Sequence, residues 1–206
     1  FNHEMAIRLA GGTPIAVETG VVPDPERLAA AITPRTRAIV TISPNNPSGA
    51  VFPRDVLAAI NHLCAERGLL HISDEAYEQF VYGEEPHWSA GSLPGSAAHT
   101  VSLHSLSKAY GLAGWRLGYM AVPQALLPSL LKVQDTVLIC PPRLTQHAAR
   151  AALAAGPAWC APRARCRNTA SCPIRGVVPK CSSRCLRCRP TRPSMIRPKR
   201  TVSKNF

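Results

Sequence analysis

Four short segments carry side chains whose types and spacing could do chemistry. They are Ser43-Pro44-Asn45-Asn46-Pro47-Ser48-Gly49, Asp74-Glu75-Ala76-Tyr77, Ser105-Leu106-Ser107-Lys108 and Gly111-Leu112-Ala113-Gly114-Trp115-Arg116-Leu117-Gly118. A lysine amine can attack a carbonyl and can carry a proton in a later step. An aspartate can hold a positive charge in place, and an arginine grips an anion with two parallel hydrogen bonds. Taken singly, each segment also has a plain account. The first is a Pro/Gly turn, the aspartate caps a helix, the lysine is a solvated charge, and the glycines allow close backbone approach.

The elements around them must therefore do the positioning. Residues 38–42, 69–72 and 100–103 are short β-branched or apolar runs that predict buried strands, and 115–122 reads as a fourth. Apolar residues at helical spacing predict crossover helices over 24–32 and 54–67, with Pro25 and Pro53 near their starts. Further helices are expected over 124–132 and 144–155. This alternation is the rhythm of a layered α/β domain, in which ligands bind beyond the strand ends. Each of the four segments is expected to follow a strand, with Arg116 inside the last of them.

Charge divides the chain in two. The net charge is +12, yet residues 1–159 hold 11 Lys and Arg against 12 Asp and Glu, whereas residues 160–206 hold 13 basic residues and no acid. Six of the eight cysteines lie in that second part, leaving Cys64 and Cys140 isolated in the body, as in a reduced cytoplasmic protein. The segment 160–206 has no periodic apolar face and is expected to be a disordered Arg/Cys/Pro-rich tail. Its abrupt start resembles translation of a shifted reading frame. The first residues show neither an initiator Met nor a signal-peptide pattern, so the sequence reads as beginning in mid-domain. No apolar run approaches the roughly 20 residues that span a bilayer. The seven histidines form no metal-binding spacing, so no metal site is expected.

Together the four segments resemble the signature of the class I/II aminotransferases, the fold type I enzymes that use pyridoxal 5'-phosphate. Asn-Pro-Ser/Thr-Gly, Asp-x-Ala-Tyr and Ser-x-Ser-Lys occur in the family's order, and Arg116 follows Lys108 by eight residues. The similarity continues more weakly upstream through Ala10-Gly11-Gly12-Thr13-Pro14 and downstream to about Ala155. It implies that residues 1–159 are part of the large cofactor-binding domain, a mostly parallel sheet with flanking helices, incomplete. Lys108 is then the residue that forms a Schiff base with the cofactor and later moves a proton. The resemblance places Asp74 against the pyridine nitrogen, Asn46 and Tyr77 at the phenolic oxygen, and Ser105 and Arg116 at the phosphate.

The implied activity is transfer of an amino group from an amino acid to a 2-oxo acid, with a homodimer as the family's usual state. Decarboxylases, lyases and acyl-transferring synthases share the cofactor logic, but the motifs favour transamination. Phe1 lies near where related enzymes stack an aromatic ring on the cofactor. An alternative from another class is a non-enzymatic protein whose basic tail holds nucleic acid nonspecifically.

Overall fold

The computed structural model describes residues 2–83, 85–156 and 159–160. The expected disorder and reading-frame shift of the tail fall on residues outside the described ones, save for the tail's first residue, Cys160. The stacking position of Phe1 also lies outside.

The core of the fold is a four-stranded sheet of β1 (Ala38–Ile42), β2 (Leu70–Asp74), β3 (Thr100–Ser105) and β4 (Gly118–Ala121), in that order. The first three strands run parallel and β4 is antiparallel to β3, with Ser105 opposite Gly118. This is the mostly parallel α/β sheet expected from the sequence. Helices α1 (Asn2–Leu9), α2 (Pro25–Ala31), α3 (Arg54–Glu66), α4 (Leu127–Val137) and α5 (Arg143–Ala154) complete it.

Local chemistry explains the boundaries. At the start of α2 the Asp24 carboxylate accepts from the Glu26 and Arg27 amides, and Pro25 occupies the first turn, where a missing N–H costs nothing. Helix α3 buries Leu57, Ile60, Asn61 and Cys64, one face of a 3.6-residue period. Gly68, at φ +64°, ends it in a left-handed turn that lets the Leu69 amide reach the Cys64 carbonyl. The chain then enters β2 directly, so α3 is the crossover between two parallel neighbours.

Two expectations need correction. Residues 115–122 do not form one strand: Ala113–Trp115 is a 3-10 turn and β4 begins only at Gly118. Arg116 caps that turn at φ 53°, a left-handed backbone that takes it out of any strand. Among the described residues, the connection from β2 to β3 holds two short 3-10 turns, Ala90–Ser92 and Ser96–Ala98. Helix α2 precedes β1, so among the described strands it spans no crossover. The first helix, α1, buries no residue and was not among the helices expected from the sequence.

Two apolar clusters flank the sheet. Ile39, Ile60, Cys64 and Leu69 pack under α3, joined by Leu28 and Ile32. Leu106, Ala109, Tyr110 and Ala149 pack on the far side together with Cys160. Cys160 is 1% exposed, so ordered packing reaches one residue beyond the expected boundary at 159. A polar seam crosses the interior between the sheet and α3. The Asn61 amide donates to His71 Nδ1 at 3.0 Å and to Thr100 Oγ1 at 2.7 Å, while His71 Nε2 reaches Thr41 Oγ1 at 2.9 Å. His99 Nε2 closes the network on Asn61 Oδ1 at 3.0 Å. Every buried polar atom of this seam thus has a partner, the condition under which buried polarity is tolerated.

Candidate cofactor site at the strand ends

The carboxyl ends of β1, β2 and β3 lie side by side, and the turns that follow them bring Asn46, Asp74, Tyr77 and Lys108 toward one edge of the sheet. The loop after β1 is built around Asn45. Its amide bonds to the Ala50 carbonyl, its carbonyl accepts from Gly49, and its side chain accepts from the Ser48 hydroxyl at 2.8 Å. Gly49 sits at φ +74°, a backbone conformation that favours glycine. This tight loop leaves Asn46 exposed, and its Nδ2 donates to the Tyr77 hydroxyl at 3.3 Å.

Asp74 ends β2. One carboxylate oxygen accepts from the Ala76 amide at 3.0 Å, holding the turn that follows, and the other lies 2.7 Å from Nε2 of His3 on α1. The turn aims the Tyr77 ring so that Lys108 Nζ stands 5.6 Å from its centroid, a cation over an aromatic face. Lys108 itself is exposed, between buried Leu106 and buried Ala109, which fix the turn that carries it. Ser105 Oγ accepts from the Ser107 amide at 3.2 Å, leaving the hydroxyl proton for another acceptor. Arg116 donates to the carbonyl of Ala113 at 2.9 Å within its own turn. The structure therefore brings Asn46 and Lys108 each against Tyr77, places Asp74 at the base of the same turn, and leaves Ser105 and Arg116 bonded locally.

Three histidines that the sequence gave no role are paired with the three acids of the Asp74–Glu78 segment. Besides His3 with Asp74, His87 Nε2 lies 3.0 Å from Glu75 Oε2 and His104 Nδ1 lies 3.1 Å from Glu78 Oε2. Glu75 is 1% exposed and also accepts from the Ser89 hydroxyl at 2.8 Å. Burial pushes its carboxyl upward. The hydrogen bonds from His87 and Ser89, with the charges of His87 and His104, outweigh that and hold it below the usual carboxylate value. For His104 the hydrogen bond to Glu78 leads, and with the charges of Glu78, Glu75 and Asp74 it outweighs burial and raises the imidazole. The His104 ring also stacks on Tyr119 at 4.7 Å. The only forewarning in the sequence is three acids within five residues, because their partners lie 71, 12 and 26 positions away.

Glu75, Glu78 and His104 have their ligand atoms within 4.8 Å of one another. Hydrogen bonds to His87 and Ser89 and between Glu78 and His104 already account for these atoms.

Comparison with known proteins identifies the family. The family model for aminotransferase class I and II matches residues 1–159. The chain is 41% identical over 156 residues to an aspartate/prephenate aminotransferase of Thermus thermophilus, covering 74% of this chain and 40% of that protein. It is 43% identical over 142 residues to an arginine–pyruvate transaminase of Pseudomonas aeruginosa, covering 69% and 36%. The solved Thermus thermophilus aspartate aminotransferase with maleate superposes at a TM-score of 0.70 and 36% identity, over 77% of this chain and 44% of that one. The chain thus spans about two fifths of the length of the curated relatives it matches. With the motifs, the strand-end geometry and the matched folds in agreement, this chain belongs to the class I and II aminotransferase family.

Proposed function

We propose that this chain contributes the lysine-bearing part of a pyridoxal-phosphate-dependent aminotransferase, which moves an amino group from an amino acid to a 2-oxo acid. The observation that carries the reading is the convergence of Lys108 and Asn46 on Tyr77, at the turn that the Asp74 carboxylate holds. Their chemistry suits the cofactor group by group. An amine meets an aldehyde, a carboxylate meets a ring nitrogen that must stay protonated, and a phenol with an amide meets a phenolic oxygen. Ser105 and Arg116 supply a hydroxyl and a guanidinium, the donor types that bind a phosphate.

Bound there, the cofactor supplies an electron-withdrawing ring that makes the Cα proton of an attached amino acid acidic. Lys108 would hold the cofactor through its amine and, once displaced, would move that proton from Cα to the C4′ carbon of the cofactor. Asp74 would keep the ring nitrogen charged, and His3 would orient Asp74. Tyr77 would orient the phenolic edge while Asn46 steadies the Tyr77 hydroxyl.

Relatives named for aspartate, prephenate and arginine with pyruvate make a dicarboxylic or basic amino acid donor the range to test first. A homodimer in the cytoplasm completes the reading. Exposed Leu131, Val133, Val137, Leu138 and Ile139 on and after α4 support a subunit contact, and lone Cys64 and Cys140 in the body support a reducing compartment. Among the described residues no helix is long and apolar enough to cross a membrane. Residues 1–159 are taken as part of the cofactor-binding domain, with 160–206 a separate tail. Family membership leaves the nucleic-acid reading of that tail without support.

Borohydride reduction of the protein mixed with pyridoxal phosphate, followed by peptide mass mapping, tests the cofactor assignment. The label is expected on Lys108 and absent from Lys108→Ala. Labelling spread over other lysines to the same extent would overturn it.

A further inference from the structure

The two glutamates that bracket Tyr77 are each tethered to a different part of the fold. Glu75 is fixed at every polar atom: its amide donates to the Leu103 carbonyl on β3 at 2.9 Å, and its carbonyl accepts from the Glu78 amide at 2.9 Å. Its carboxylate takes His87 on one oxygen and Ser89 on the other. Between those two partners lies Trp88, whose ring is covered by the Arg54 guanidinium at 5.3 Å, at the start of α3. The far end of the loop is therefore anchored on α3 and drawn back to β2. Glu78 is tethered to His104, which stacks on Tyr119 across the β3–β4 pair, where the two residues stand opposite in register.

Burying a carboxylate as completely as Glu75 is costly unless each oxygen is hydrogen-bonded. This arrangement fixes the position of the turn between the two glutamates. The residue held there is Tyr77, with its hydroxyl on Asn46 and its ring under Lys108. Among the described residues, no hydrogen bond or ring contact of Glu75, Glu78, His87 or His104 reaches Lys108, so any effect on it runs through Tyr77.

We propose that the Glu75–His87/Ser89 and Glu78–His104 contacts form a two-armed clasp that positions Tyr77 against Lys108, making Glu75, Glu78, His87 and His104 positioning residues of the lysine site. The inference rests on the reading of Lys108 as the functional amine, and it adds that the reactivity of this amine is set from the opposite side of the Asp74–Glu78 turn. A ring face covers one side of an amine and attracts its charged form, so an amine released from the ring reacts faster with an acylating reagent.

The test is competitive acetylation of the full chain without added cofactor, read by mass spectrometry as the ratio of Lys108 to Lys132, an exposed lysine on α4 that serves as internal reference. In Glu78→Ala and His104→Ala the ratio is expected to rise about two- to fivefold, the range set by a cation–aromatic contact of this kind. His104→Asn is expected to restore it, because the Asn Nδ2 can donate to Glu78 from near the position of His Nδ1. A ratio unchanged in Glu78→Ala, with the circular dichroism of the native protein retained, would overturn the clasp. So would a parallel rise at both lysines, which reports general loosening. Since no cofactor is added, absence of pyridoxal phosphate binding leaves the clasp measurable, and failure of the clasp leaves the borohydride test intact.

Discussion

His3 Nε2 lies 2.7 Å from Asp74 Oδ2, joining the first helix to the end of the second strand across 71 positions of sequence. Both side chains are partly buried, at 30% and 21% exposure. Hydrogen bonds to charged groups are worth roughly 1.5–3 kcal/mol, and partial exposure reduces this pair to about 1 kcal/mol, or ~fivefold in an equilibrium. His3→Ala is expected to weaken pyridoxal phosphate binding by about that factor, measured by absorbance titration. His3→Gln, which keeps a donor near Nε2, is expected to recover most of it. Equal affinity in all three proteins would remove His3 from the site.

Gly118 carries a different constraint. A Cβ added there would stand 2.5 Å from the backbone oxygen of His104, because β4 crosses β3 opposite Ser105. A backbone oxygen cannot move aside as a flexible side chain can. Gly118→Ala is expected to cost about 1–3 kcal/mol, within the range for overpacking, and to push β4 away from Ser105. Gly114→Ala meets open space and serves as the control. Thermal unfolding should show a clear drop for the first and a small change for the second.

These two relationships mark what sequence could and could not reveal. Strand β1, helices α2 and α3, and most of α5 were legible because apolar spacing, Pro25 and Pro53 mark them locally. Lys108, Asp74, Tyr77 and Asn46 were legible because each sits in a motif tied to a strand end. Arg116 was misplaced in a strand because a single apolar run, Leu117 to Val122, hid the left-handed turn before it. The histidine partners were illegible, since an ion pair between residues far apart in sequence leaves no local trace.

The two body cysteines should differ in reactivity. Cys64 is fully buried in the cluster under α3, and burial pushes its thiol up to about 12, only partly offset by a backbone hydrogen bond from Ile39. Thiolate is the reactive form, so Cys64 should resist alkylation in the native protein. Cys140 is exposed and should react readily. Iodoacetamide treatment at pH 8 followed by peptide mapping is expected to mark the Cys140 peptide and spare the Cys64 peptide until denaturant is added. Early labelling of Cys64 would mean that the α3 cluster opens.

The polar seam makes stability depend on acid. His71 is 0% exposed, and burial, with the nearby His99 charge, lowers its imidazole from 6.5 to about 4 against a smaller opposing effect of Glu75. Its Nδ1 accepts from Asn61, so a second proton would eject that bond as well as charge a buried ring. The unfolded chain therefore binds more protons than the folded one between pH 6.5 and 4, and stability falls as pH falls through that window. From the size of the shift, the loss between pH 7 and pH 4.5 is about 2–3 kcal/mol. Urea unfolding at the two pH values measures it directly. His71→Leu is expected to be less stable at neutral pH, because Thr41 and Asn61 lose a partner, but to lose most of this pH dependence. If the variant kept the full acid sensitivity of the native protein, the sensitivity would have to come from other groups, and the seam would be a packing feature without a role in proton linkage.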